Sequence, residues 1–299
     1  MSEPTESTAP VTEHNTDPAP EVPPAPVAEE AKEEAKTEPA AATEPEIEEV
    51  QNALTKQFTA EEWKALKELR KQLPEIVKEA YEDAETKPET VTLWGVTIDP
   101  AHPETDAKIS VVLLKFLRAR ELDVAAARTM LVSTLKWRQQ FKIDEVLKEE
   151  FPEEVFGNVG FVKGVDKEGR PVTYNLYGGP TVKEVFSDVG RFTRWRVQLM
   201  EKTVLLLDFE NHDQMIQVHD YDGVSMFRDA NQKEAAHEAT NIFQNHYPEF
   251  LAWKYFVNVP TLLTWIFWLF KPLISPKTFA KMTVEQLPKK YGGEAEDLV

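Results

Sequence analysis

Residues 159–177 read VGFVKGVDKEGRPVTYNLY. Two β-rich runs, Val159–Val165 and Pro171–Tyr177, flank Asp166-Lys167-Glu168-Gly169, a hairpin signal. Outward from it, Arg191–Leu207 has the length and apolar spacing of a helix. Met215–Tyr221 reads as a short strand closed by Asp222-Gly223, Asn231–His246 as a helix stopped before Pro248, and Tyr255–Val259 as a strand ending at Pro260. Strands alternating with helices of this length predict a mixed sheet with helices packed on it, within an α+β fold. No repeat recurs at a fixed period.

On the N-terminal side the pattern is helical. Thr59-Ala-Glu-Glu62 fits a capping box, with a hydroxyl at the N-cap and a carboxylate three residues on. Trp63, Leu66, Leu69, Leu73 and Ile76 follow at helical spacing, and Pro74 ends or kinks that helix. Pro88, Pro100 and Pro103 mark a loop around Leu93-Trp94-Gly95-Val96. Val111–Arg120 and Val124–Phe141 read as two more helices, with Asp123 as N-cap of the second. The expected organisation is a tail over 1–50, a helical domain over 51–150 and a sheet domain over 151–299.

Composition narrows the function. The chain has 299 residues, a net charge of −18 and no cysteine, which excludes disulfides, thiolate metal sites and cysteine nucleophiles. Residues 1–50 hold 14 acidic residues against 2 lysines and 9 of the 21 prolines, but no aromatic residue. Such a segment cannot bury enough apolar surface to offset its ordering entropy, so it is expected to be a disordered, solvating tail. It takes −12 of the charge and leaves −6 for the folded body. Net acidity argues against a nucleic-acid backbone as partner. Glu3 and Glu6, with no apolar run behind them, do not fit a secretory signal, so the cytosol is expected.

Tyr255–Phe270 carries no charge over 16 residues. A spanning helix needs about 20, and Pro260 divides this stretch, so a membrane span is not expected. Leu262–Phe270 is apolar on every side, which suits a buried helix or a mobile lid that opens against a bilayer. The motifs G-x-G-x-x-G, G-x-x-x-x-G-K-[ST], G-x-S-x-G and H-E-x-x-H are all absent, so the common hydrolase, kinase and dehydrogenase chemistries are not expected.

Seven pieces occur in order: Leu113–Asp123 (LLKFLRARELD), Trp137-Arg138, Arg170-Pro171-Val172, Tyr247-Pro248-Glu249, Val257-Asn258-Val259-Pro260, Leu269-Phe270-Lys271-Pro272 and Leu287–Gly293 (LPKKYGG). Together they resemble the CRAL-TRIO lipid-transfer family of the Sec-fourteen phosphatidylinositol-transfer type, over about residues 58–299. The resemblance implies a helical N-terminal domain and a sheet-floored lipid pocket gated by Leu262–Phe270. It also implies phosphatidylinositol contacts at Arg120, Glu249, Thr278 and Lys281. Cations and a hydroxyl suit a phosphate, and a carboxylate suits inositol hydroxyls. Members that carry phosphatidylcholine have small hydroxyl residues where this chain has Met215 and Gln217, so choline-lipid transfer is not expected.

His219-x-Tyr221 lies on the same strand, and residues i and i+2 share a face. A hydrogen-bonded core pair accounts for this on its own. Both residue types also ligate haem iron. HDYDGVSM, TYNLYG and FTRWRVQLME are similar to a fungal haem-binding branch of the family. That resemblance implies ferric haem b held by Tyr221, with His219 as close partner and candidate second ligand, and Tyr174, Arg194 and Lys254 as further pocket residues. Arg194 and Lys254 would suit the two propionates. The implied protein is a non-enzymatic transfer protein acting in phosphoinositide homeostasis and oxidant response. It would be cytoplasmic, with peripheral contact at the endoplasmic reticulum or microsomal membrane. The alternatives are a haem peroxidase or catalase and a lipid-regulated scaffold.

Overall fold

Helix α1 (Ala60–Lys71) starts on its capping box: Thr59 Oγ1 accepts from the Glu62 amide at 3.2 Å and the Glu62 carboxylate accepts from the Thr59 amide at 2.9 Å. Pro74 opens α2 (Leu73–Ala80), where its missing N–H is no loss. The computed structural model describes residues 49–224, 230–259 and 280–285, all within one unit running from Glu48 to Val299. The acidic tail up to residue 48, the Leu262–Phe270 helix, Thr278 and Leu287–Gly293 lie outside the described residues.

The proline-marked loop contains a hairpin, β1 (Val91–Leu93) with β2 (Val96–Ile98). Its two turn residues, Trp94 and Gly95, have φ of 54° and 81°. Positive φ at both positions is what a tight hairpin requires. A tryptophan tolerates this because its ring is buried, stacked on Phe116 at 5.6 Å and edge-on to Phe250 at 4.6 Å. Helix α3 (Ala107–Arg118) starts earlier than the predicted Val111, capped by Asp106. Helix α4 (Val124–Phe141) is capped by Asp123, which accepts from the Ala126 amide at 2.9 Å. Leu66, Leu69, Ile76, Phe116, Leu131 and Leu135 form the helical core. Two short turns follow, α5 (Ile143–Val146) and α6 (Glu153–Phe156).

The predicted hairpin forms as β3 (Gly160–Val165) and β4 (Pro171–Leu176), joined through Asp166, which accepts from the amides of Glu168 and Arg170. Next come α7 (Val182–Val185), α8 (Val189–Val204), β5 (Met215–Asp220), α9 (Ala230–His246), β6 (Leu251–Val257) and β7 (Met282–Glu285). The five strands lie in the order β3-β4-β5-β6-β7; the first pair is antiparallel and the rest are parallel. The fold is α+β, a helical N-terminal region followed by a mixed sheet with flanking helices. β6 begins at Leu251 rather than at the predicted Tyr255: Trp253 and Lys254 pair with Ile216 and Gln217, and a bulge at Ala252 carries the pairing back to Leu251 opposite Met215.

Strand alternation divides the sheet into two faces. Val172, Tyr174, Ile216, Val218, Tyr255 and Val257 pack together on one. On the other, register rows run Thr173–Gln217–Lys254 and Asn175–His219–Phe256. Helix α8 lies over this second face, where Thr203 and Thr173 share a hydrogen bond of 3.0 Å.

Candidate functional site

A cleft of about 1030 Å³, open solvent included, lies between the second sheet face and helices α7, α8 and α9. Its wall is apolar and aromatic: Val185, Phe186, Phe192, Trp195 and Phe243. Its floor is polar: Asn175, Tyr177, Gln217, His219 and Lys254, with Arg196 from α8.

The two cations define its electrostatics. Arg196 is 6% exposed and its Nη1 has no hydrogen-bond partner. Its guanidinium sits 5.1 Å over the Phe243 ring, and burial lowers its proton affinity. Burial and the neighbouring Arg196 push the Lys254 ammonium down to about 8. Neither cation forms an ion pair with an acid among the described residues. A buried and a half-buried positive charge without counter-charge are costly, and an anionic ligand is the compensation this geometry offers. Lys254 contributes its charge below about pH 8 and loses it as the pH rises beyond that.

His219 is 4% exposed and well below its ordinary pKa, through burial and then repulsion from Lys254 and Arg196, so it is neutral. Its Nε2 lies 3.2 Å from Gln217 Oε1 and its Nδ1 2.6 Å from Tyr177 Oη. An amide oxygen only accepts, so Nε2 carries the proton and Nδ1 accepts from the tyrosine. Tyr221 follows β5. Its ring lies 5.0 Å from that of Tyr177 and 6.2 Å from that of Phe256, and the same two rings flank His219. Of the residues singled out in the sequence, His219 and Lys254 therefore line the cleft, and Tyr221 stands next to it against the Tyr177 and Phe256 rings.

Two others lie elsewhere. Tyr174 is on the opposite sheet face, stacked on Phe161 at 5.2 Å, because it is one residue out of phase with Asn175. Arg194 turns away from the cleft: its Nη2 meets Glu149 at 2.6 Å and its guanidinium lies over Phe141. Residues i and i+2 of a helix do not share a face, so Arg196 takes the position in the cleft that was assigned to Arg194. Tyr177, just past β4, takes the aromatic position assigned to Tyr174. Sequence reasoning missed both.

Of the phosphatidylinositol positions, Glu249 and Lys281 come together, with Oε2 and Nζ 3.6 Å apart. Lys281 Nζ also donates to the Leu251 carbonyl at 2.8 Å. Glu249 has φ of 56° and its carbonyl accepts from the buried Lys115 ammonium at 3.1 Å and from Gln214 at 3.3 Å. Lys115 also pairs with Asp213 at 2.8 Å. Arg120 sits in the α3–α4 turn, donates to the Ala119 carbonyl at 2.9 Å and forms no ion pair among the described residues. Thr278 lies outside the described residues. Among the described residues no cluster of three His, Asp or Glu could hold a bare metal ion, and no helix is long and apolar enough to cross a membrane.

The CRAL/TRIO domain model matches residues 156–293 and the CRAL/TRIO N-terminal domain model residues 65–133. A protein of Meyerozyma guilliermondii named phosphatidylinositol transfer protein SFH5 is 33% identical over 278 residues, covering 82% of this chain and 81% of that one. Its namesake in Botryotinia fuckeliana is 37% identical over 238 residues, covering 69% of this chain and 53% of its own length. The chain thus spans little more than half of that relative. A crystal structure of Sfh5 superposes with a TM-score of 0.65 at 33% identity, covering 76% of this chain and 80% of the other. This chain belongs to the CRAL/TRIO family.

Proposed function

We propose that this chain is a non-enzymatic protein that binds phosphatidylinositol, transfers it between membranes and also holds ferric haem b. The observation that carries the haem half is the pair of uncompensated cations, Arg196 and Lys254, in an aromatic-lined cleft beside Tyr221. These residues fit haem: flat apolar walls suit the macrocycle, the cations suit two propionates, and a phenol suits ferric iron. Haem would supply redox or ligand-binding chemistry, and a phenolate favours the ferric state. Haem storage or oxidant response suits that better than oxygen carriage. Arg196 and Lys254 orient the acidic edge, and the helix walls exclude water. A peroxidase-like enzyme is the second reading, and the structure contributes no argument for it.

The phosphatidylinositol half rests on the names of the relatives and on the Glu249–Lys281 pair, whose carboxylate and ammonium can part to meet inositol hydroxyls and a phosphate. Met215 and Gln217 in place of small hydroxyls argue against choline-lipid transfer. Peripheral membrane contact, at the endoplasmic reticulum, and a part in phosphoinositide homeostasis follow from the same reading.

Two measurements test the reading. Ferric haemin added to the wild type should give a bound Soret band with phenolate features, and Tyr221→Phe should lose those features; an unchanged spectrum removes Tyr221 from the iron. Glu249→Ala should lower phosphatidylinositol transfer between vesicles by about tenfold or more, the value of a lost charge-assisted hydrogen bond. Undiminished transfer removes Glu249 from the headgroup site.

A further inference from the structure

The His219 ring is held at both ends. Nδ1, the only nitrogen with a free lone pair in the neutral Nε2–H tautomer, is engaged by Tyr177 Oη at 2.6 Å, and Nε2–H is engaged by Gln217 Oε1 at 3.2 Å. Phe256 lies beside the ring at 5.5 Å between centroids. For His219 to bind a metal, either Tyr177 must release Nδ1, or the ring must change tautomer and give up Gln217. Both hydrogen bonds are partly buried, and breaking either leaves a ring nitrogen of the buried His219 without its partner.

We propose that Tyr177 is a positioning residue that occupies Nδ1, the one lone pair His219 offers while Gln217 holds the Nε2–H tautomer, and so reserves iron coordination to Tyr221. This rests on the haem reading above. Tyr177 stands where this role needs it: its ring lies between His219, at 5.6 Å, and Tyr221, at 5.0 Å. The chain leaves β4 at Leu176, and the Tyr177 amide donates to the Asp220 carbonyl at 2.9 Å, so backbone pairing sets the tyrosine beside the end of β5. A phenylalanine there keeps the ring packing and loses the hydroxyl alone. With Nδ1 occupied, the pocket has one type of iron ligand instead of two in competition.

The test uses the full chain in two states. In the ligand-free wild type, imidazole nitrogen chemical shifts of His219 should report the Nε2–H tautomer with a hydrogen-bonded Nδ1; in Tyr177→Phe the tautomer should persist and the Nδ1 shift should move to that of an unbonded nitrogen. A wild type of mixed tautomer, or an Nδ1 shift unmoved in the variant, overturns the proposal. With ferric haemin bound, the wild type should be high-spin, and Tyr177→Phe should gain a low-spin fraction from imidazole coordination. Tyr177→Phe combined with His219→Ala should lose that fraction again. An unaltered spectrum in Tyr177→Phe overturns the assignment. Gln217→Leu releases the Nε2 proton instead and should give a tautomer mixture, a test that survives if Tyr177→Phe does not fold; a Gln217→Leu variant still wholly Nε2–H overturns the assignment of the ring. Failure of the wild type to take up haemin removes the haem reading and the reserved coordination with it; the nitrogen shifts still decide whether Tyr177 holds Nδ1.

Discussion

Glu201→Ala is expected to destabilise the fold by about 3–5 kcal/mol, the cost of stranding a buried charge by removing its partner. Glu201 on α8 is 1% exposed. Arg138 on α4 grips it with two parallel hydrogen bonds, Nη1 at 2.6 Å and Nη2 at 3.0 Å. Tyr247 Oη donates to the same carboxylate at 2.6 Å, and burial pushes its hydroxyl well above its ordinary pKa. Without Glu201 the guanidinium and the phenol are left buried and unpaired. Urea unfolding should show the loss as a lowered midpoint at unchanged slope. Glu201→Gln keeps an acceptor for both donors and should cost less. A loss below about 1 kcal/mol in the alanine variant would place this cluster with exposed ion pairs, which contribute little.

Arg196→Met is expected to do the reverse to the ligand-free chain. The side chain is buried with one donor unsatisfied, a burden of about 1–3 kcal/mol that methionine removes while filling similar space. The melting temperature should therefore rise. Affinity for haemin should fall by about 10- to 100-fold, the value of a charge-assisted bond to a propionate. Arg194→Met is the control. Arg194 and Glu149 are 33% and 31% exposed, so their pair should contribute under about 1 kcal/mol, and haemin affinity should be unmoved. If Arg194→Met loses haemin and Arg196→Met does not, the helix register of the site is wrong.

Local signals in the sequence predicted local structure well. The capping box at Thr59, the N-cap at Asp123 and the turn at Asp166–Gly169 all form as their chemistry demands. Each depends on residues within a few positions of one another. Long-range features were not legible in the same way. Nothing in an isolated strand says that β5 pairs in parallel with both β4 and β6, and the extension of β6 back to Leu251 shows only in its pairing with β5. The β1–β2 hairpin was hidden because its turn is Trp94-Gly95, where the tryptophan is kept in a left-handed conformation by burial against Phe116 and Phe250.

The site was legible in type and misplaced by small steps. A motif names FTRWR without saying which arginine faces inward. The periodicity does say: Phe192, Arg196 and Leu199 lie at i, i+4 and i+7, on the buried stripe of α8, whereas Arg194 is off it. Alternation likewise puts Tyr174 in phase with Val172 and out of phase with the cleft face. Tyr177 lies beyond the strand, where alternation stops being a guide, and its bond to His219 needed the third dimension.

Strand β6 serves two places at once. Glu249 stands two residues before it, and Lys254 in its middle lines the cleft; the Lys254 amide donates to the carbonyl of Lys281, the cation paired with Glu249, at 2.8 Å. A ligand at the strand's edge and one over its centre would bear on the same backbone. If both bind, thermodynamics makes their influence mutual: by whatever factor an inositol headgroup alters the affinity for haem, haem must alter the affinity for the headgroup equally. The ratio of the two in the cell would then be sensed at either site.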